Sequence, residues 1–299
     1  MVYRGITESL WVNAVCTVVE ALGLILVIAV GLRFWGGADL FEVPAGPANP
    51  QGALTASLIL QGSILTFFSF LGFEDMLNVA EEVKQPERTI PVALIGAMLV
   101  ASLIYIAVSI TAVSVVPWGE LAAAPAPLRL VIERAAPWFP AVAFTLVTIA
   151  AVANTALVNY VMGSRLLYGM ARQDLLPAAL GRVHGQRRTP HVAVGVLLAI
   201  VVALQFAGDI EQLAGATVLL LLFVFALVNG ALIVLTLREG KIAGCFNAPI
   251  VVPALGAAIC LVMIAGRVGQ EDWRGPAIAG GLIAMILLLY ALTRPRVSP

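Results

Sequence analysis

Glu74 and Asp75 follow directly on the run Thr66-Phe67-Phe68-Ser69-Phe70-Leu71-Gly72-Phe73. Acids embedded in so apolar a stretch need water, a partner or a function. Glu81 and Glu82 mark its polar end. Glu74 therefore lies seven residues inside, about 10 Å deep at the helical rise. Gly72 lets a helix unwind at this point. A broken helix presents carbonyls at the end of its first half and amides at the start of its second. Such ends bind cations and anions respectively where they line a cavity. The expected chemistry is recognition of a ligand, with no bond made. Two alternatives stand beside it. One is a continuous helix with a tolerated glycine, its acids reaching toward water. The other makes Glu74 or Asp75 a cap on the second half-helix.

Glu20 is the second such residue. It lies ten residues after Leu10 and twelve before Leu32, too deep in an apolar run to reach water. Desolvation disfavours a lone carboxylate in its charged form, so a proton-binding site is one expectation. A neutral Glu hydrogen-bonded to a neighbouring helix is the other. A third set comprises Thr145, Thr148, Asn154, Thr155, Asn159 and Ser164. Within it Thr148, Thr155 and Asn159 share a helical face, and interhelical hydrogen bonding is the expected role of each. Phe67, Phe68, Phe70 and Phe73 together could line a ligand pocket; singly, each suits lipid or core.

Enzyme chemistry finds no footing. His184 and His191 are the only histidines, and no H-E-x-x-H, P-loop or G-x-S-x-G run is present. Cys16, Cys245 and Cys260 fit no metal spacing and no disulfide framework, and read as small apolar side chains. No cofactor and no metal site are expected.

The elements that must position these groups follow from composition. Of 299 residues, 61% are hydrophobic and 11% charged, with 17 basic and 17 acidic residues; the mean hydropathy is +1.01. Disorder and nucleic-acid binding are excluded, and too few polar residues exist to cover a water-soluble globule. An all-α polytopic membrane protein remains. Eight apolar runs read as spans: 11–32, 53–73, 90–116, 138–162, 192–207, 213–237, 250–265 and 277–292. The first 23 residues hold Glu8 and Glu20 and no cleavage site, so they read as part of a span and not as a signal peptide. With both termini on one side, twelve basic residues fall there and five on the other. Positive charge stays inside, which predicts cytoplasmic N- and C-termini.

Two connections carry structure. Leu128, Val131, Ile132 and Ala135 form an apolar stripe between Pro127 and Pro137. It predicts an amphipathic helix lying at the outer interface, flanked by Trp118 and Trp138. The basic stretch 165–188 predicts a short interfacial helix starting near Pro177.

Two longer signatures carry a resemblance. Phe67 to Glu74, followed by Ala80-Glu81-Glu82-Val83-Lys84-Gln85-Pro86-Glu87-Arg88-Thr89-Ile90-Pro91, resembles the sixth helix and following loop of amino acid permeases. These belong to the amino acid–polyamine–organocation superfamily. Ser164-Arg165-Leu166-Leu167-Tyr168-Gly169-Met170-Ala171-Arg172-Gln173-Asp174, with Leu176-Pro177, Arg182-Val183-His184 and Thr189-Pro190, resembles the loop between its eighth and ninth helices.

The resemblance implies a LeuT-like fold of two inverted five-helix repeats and two extra helices. The eight spans then correspond to helices five to twelve of one transmembrane domain over 1–299. Residues 10–33 are the last helix of repeat one, 53–238 the second repeat with its broken first helix, and 249–292 the extra pair. The implied function is secondary transport of an amino acid or related amine across the cell membrane, coupled to protons or by exchange. Phe68, Ser69, Phe70, Leu71, Gly72 and Phe73 would contact substrate. Glu74 matches the position of a gating or proton-linked acid. Glu20 matches a position where many relatives place a lysine, so the charge is reversed here. The family's glycine-rich first helix has no counterpart, because Gly36-Gly37 lies in an external loop. The chain by itself is therefore expected to be inactive, with the missing N-terminal helices as a partner besides lipid. The alternative is a non-transporting membrane subunit or degenerate remnant.

Overall fold

The computed structural model describes residues 6–43, 52–184, 189–240, 246–269 and 273–293. Cys245 and the basic residues Arg4, Arg187, Arg188, Lys241, Arg294 and Arg296, used in the expectations above, lie outside them. Ten α-helices and no strand occur among the described residues. They are α1 (Ile6–Gly31), α2 (Ala56–Phe68), α3 (Pro86–Val115), α4 (Trp118–Ala123), α5 (Pro127–Ala135), α6 (Ala141–Arg172), α7 (His191–Leu204), α8 (Ile210–Glu239), α9 (Val251–Val268) and α10 (Arg274–Thr293).

Five helical segments are long and apolar enough to cross a bilayer: Asn13–Phe34, Pro86–Val115, Ala141–Arg172, Gln212–Glu239 and Val251–Val268. Three shorter apolar helices accompany them, in α2, α7 and α10. At 13 residues, α2 is about 20 Å long, short of the roughly 30 Å hydrocarbon core. The helices turn large apolar side chains outward. Val142, Leu146, Ile149 and Val152 form one exposed stripe along α6. Such a surface suits lipid and not water.

The chain divides into two compact units. The first comprises Met1–Pro44, Ala97–Gly169 and Ala178–Val194. Its core joins Val27 of α1 and Val115 of α3 to Val131, Ile132 and Ala135 of α5 and Phe144 of α6. The apolar stripe of α5 thus packs on protein, with Val131 and Ile132 fully buried. This corrects the expectation of a helix whose apolar face rests in lipid. Periodicity reveals an apolar face but not what covers it. Arg33 donates a hydrogen bond to the Ala135 carbonyl, and Trp35 Nε1 donates to Thr111 Oγ1 at 2.9 Å, tying α5 and α3 to the end of α1. Gly31 permits this closeness. A Cβ there would stand 2.1 Å from the Thr111 methyl.

The second unit comprises Ala45–Gly96, Met170–Pro177 and Gly195–Pro299. Its core gathers Ile64 of α2, Val218 and Leu222 of α8, and Cys260 and Met263 of α9. Asp209 starts α8 with a capping box, accepting from Gln212 N at 3.0 Å while Gln212 Oε1 accepts from Asp209 N. Gly266 lets α9 meet α2, where Leu60 Cδ2 lies 2.2 Å from the position a Cβ would take.

Helix α6 differs from expectation. It does not stop at Met162 but runs ten residues further to Arg172. Asp174 then adopts φ +58°, and Leu175 N donates to Met170 O at 3.0 Å. This is a Schellman-type stop with an aspartate in the left-handed position. The helix expected near Pro177 is a single 3-10 turn, Ala178–Gly181.

Candidate functional site

The expected break in the second apolar run is where α2 stops. Thr66 Oγ1 donates to the Gly62 carbonyl at 2.8 Å, a back-bond that bends helices. The next backbone bonds shorten to the three-residue pattern: Ser69 N to Thr66 O, Phe70 N to Phe67 O and Leu71 N to Phe68 O. Gly72 then takes φ +110°, a value that side chains resist and glycine tolerates. A ten-residue 3-10 helix, Phe73–Glu82, follows in place of an α-helical second half. Few helices of that type run so long, because their hydrogen bonds are poorly aligned.

Glu74 closes the turn on itself. Its Oε2 accepts from Gly72 N at 2.9 Å. The amide that the broken ladder would leave without a helical partner is thereby bonded. Gly72 is the N-cap of the 3-10 helix and no side chain caps it, so Glu74 does not take the capping role expected of it and instead reaches back to the amide of the cap residue. The side chain of Asp75 lies outside what is described.

One ring holds both flanks. Phe225 of α8 meets Phe67 edge-on at 6.2 Å and Phe73 at 5.5 Å between centroids. Phe67 and Leu71 pack against the core of this unit. Phe68, Ser69 and Gly72 are exposed, and Phe70, Phe73 and Glu74 are half-buried. The six residues expected to contact substrate therefore divide between packing and surface. Phe225 was not expected from sequence. It is one of two phenylalanines, beside Phe223, in the apolar middle of its helix, and nothing local marks it.

Glu20 sits in the other unit and is bonded there. Asn154 Nδ2 of α6 donates to Glu20 Oε1 at 3.0 Å. Asn154 is only 6% exposed, and its own Oδ1 is buried without a partner. The interhelical hydrogen bond foreseen for the polar face of α6 is made by Asn154. Thr148, Thr155 and Asn159, the three residues on one face, are exposed, and Thr148 bonds its own helix at Phe144 O. Gly23 brings α1 close to α6, with Val147 Cγ1 at 3.0 Å from a built Cβ.

The histidines lie together: the rings of His184 and His191 are 5.9 Å apart and nearly perpendicular. Among the described residues no group of three or more His, Cys, Asp or Glu could hold a metal ion.

Known proteins share this sequence pattern. A family model described as amino acid permease matches residues 1–291. The chain is 28% identical over 268 residues to the branched-chain amino acid permease BcaP of Bacillus subtilis, covering 88% of this chain and 56% of that protein. It is 28% identical over 270 residues to the methylthioribose transporter of the same organism, covering 87% and 55%. To the chloroplastic cationic amino acid transporter 9 of Arabidopsis thaliana it is 30% identical over 181 residues, covering 60% and 30%. The chain spans about half the length of the two Bacillus subtilis relatives and 30% of the Arabidopsis thaliana one.

Proposed function

The chain belongs to the amino acid permease family, and on that premise we propose that it forms part of a secondary transporter for an amino acid or related amine. Family membership groups this multi-pass membrane protein with transporters and not with enzymes. In the proposal, transport crosses the cell membrane by alternating access, coupled to protons or by exchange. The eight apolar helices act as the last helix of one repeat, a second five-helix repeat opened by the break, and an extra pair. The basic residues orient both termini to the cytoplasm.

One observation carries the reading: the helix stops at Phe68 and turns at Gly72, within the segment that resembles the family's substrate helix. Phe68 to Phe73 would contact the substrate. Carbonyls at the end of α2 would meet its amino group, as broken helices do for cations. Glu74 would gate or carry a proton by exchanging the Gly72 amide for substrate or water. Glu20 would be a second proton site. The relatives named above are described by different substrates, so the side chain transported is left at the level of amino acids and amines.

The test is uptake of radiolabelled branched-chain and basic amino acids into proteoliposomes. The vesicles hold residues 1–299 alone, or together with the product of the DNA directly upstream. We expect no saturable uptake from the chain alone and saturable uptake from the pair. Uptake by the chain alone would overturn its dependence on further helices. Silence in both would overturn transport and favour the non-transporting subunit. In the active form, Glu74→Gln is expected to change the pH profile of uptake, and an unchanged profile removes Glu74 from the proton route.

A further inference from the structure

We infer that a cleft at one end of the second unit binds the headgroup of a zwitterionic phospholipid carrying a primary ammonium, as phosphatidylethanolamine does. The inference is independent of which solute the protein moves. The cleft holds about 480 Å³, and Phe206, Asp209, Gln212, Trp273, Arg274 and Ile278 are among the residues that line it. That volume lies within the roughly 300–1,000 Å³ of small-ligand pockets. The lining comes from just past the end of α7 and from the starts of α8 and α10, where apolar helices meet polar connections. Such a place is at headgroup level. The two helix starts are braced. Arg267 of α9 is buried, and its guanidinium lies 3.1 Å from the position a Cβ would take at Gly215 of α8 and again at Gly275 of α10. Gly208 brings the chain close to Gln212 and Ile278, with Ile278 Cδ1 3.2 Å from a built Cβ.

Three observations choose the occupant. Opposite charges line the cleft, the Arg274 guanidinium and the Asp209 carboxylate. A guanidinium has five donors in a fork that suits phosphate. Asp209 Oδ1 accepts from Gln212 N, and a carboxylate has further lone pairs for an ammonium. Secondly, the same two stretches of sequence hold Glu211, Glu271 and Asp272, so this end has no cationic surplus. An anionic headgroup would meet more acid than base, whereas one with its own cation answers both signs. Thirdly, an apolar track leads away. Phe206 and Trp273 are 88% and 70% exposed, aromatics of the kind that settle at a membrane interface. Leu198 and Val202 share an exposed face of α7, and Phe206 follows just past its end. That face gives an acyl chain a place to lie, which a soluble phosphate ester would not need.

The experiment is native mass spectrometry of residues 1–299, delipidated in detergent and titrated with phosphatidylethanolamine, phosphatidylcholine or phosphatidylglycerol of one acyl composition. We expect one retained phosphatidylethanolamine, held about tenfold more strongly than either other lipid, the effect of one bond to a charged group. Asp209→Asn keeps the helix cap, because Asn caps as well as Asp, and removes only the charge. It should erase the preference over phosphatidylcholine. Arg274→Gln should weaken all three lipids, since phosphate is common to them. Equal retention of the three by the unmutated chain overturns the site, as does a preference that Asp209→Asn leaves intact. Tightest binding of phosphatidylglycerol overturns the zwitterion, and unchanged lipids in Arg274→Gln overturn the phosphate contact. Displacement of the lipid by an equal concentration of glycerophosphoethanolamine overturns the membrane source. If Arg274→Gln fails to fold, Asp209→Asn decides by itself.

Discussion

The two glutamates expected to matter are used in opposite ways. Glu74 bonds the backbone two residues before it, and Glu20 bonds a side chain 134 residues away. The first is a local device: it mends a gap in its own chain's hydrogen bonding. The second is a tertiary device that ties two helices. A carboxylate beside a helix break can be satisfied without help from the fold. A carboxylate in the middle of an unbroken helix has no amide to accept from, because every nearby N–H is already in the ladder. Depth in the membrane is therefore less telling than the state of the backbone next to the acid.

The contrast can be broken at its strongest point by Phe225→Ala. If the local device is enough to keep the turn, removing the ring should do little. The ring contacts with Phe67 and Phe73 argue that it does much. We expect a loss of about 3 kcal/mol, read as a lowered unfolding midpoint in detergent, with Ser69→Cys reacting faster with a soluble maleimide. Gly72→Ala comes next. Nothing lies within 4 Å of the new Cβ, so the cost is that of the backbone alone, about 1–2 kcal/mol for a side chain at positive φ. A larger loss would mean that the turn is coupled to more than its own torsions. Glu20→Leu should cost about 1 kcal/mol, because the Asn154 amide is stranded in a site that offers few substitutes. Glu74→Gln should cost only a few tenths of a kcal/mol, since the amide oxygen still accepts from Gly72 N. Equal losses for these last two, by thermal unfolding of the same preparation, would erase the distinction between local and tertiary acids.

Much of this was legible in the sequence because the signals were local. Apolar runs announced the helices, and Gly72 between aromatics and an acid announced where α2 would stop. Helix α6 shows the limit. Hydropathy reports where hydrocarbon ends, not where backbone hydrogen bonding ends, so it stops short of the ten helical residues past Met162. The apolar face of α5 was visible, but burial on protein and burial in lipid leave the same stripe. The character of the second half-helix, 3-10 in place of α, depends on hydrogen-bond geometry that residue types do not encode. Phe225, and the choice of Asn154 from its polar set as the partner of Glu20, were beyond reach for one shared reason. Each matters through a partner brought near only by the fold, and each sits among equally plausible neighbours, such as Asn159 or Phe223.

Helix α6 also stands out by its length. Its 32 residues make a rod of about 48 Å, against a hydrocarbon core of about 30 Å. No proline interrupts it. Asn154 is gripped near its middle, and Arg172 ends it about 27 Å further on. The bond between Asn154 and Glu20 thus sits close to the midpoint of a helix longer than the hydrocarbon core alone requires.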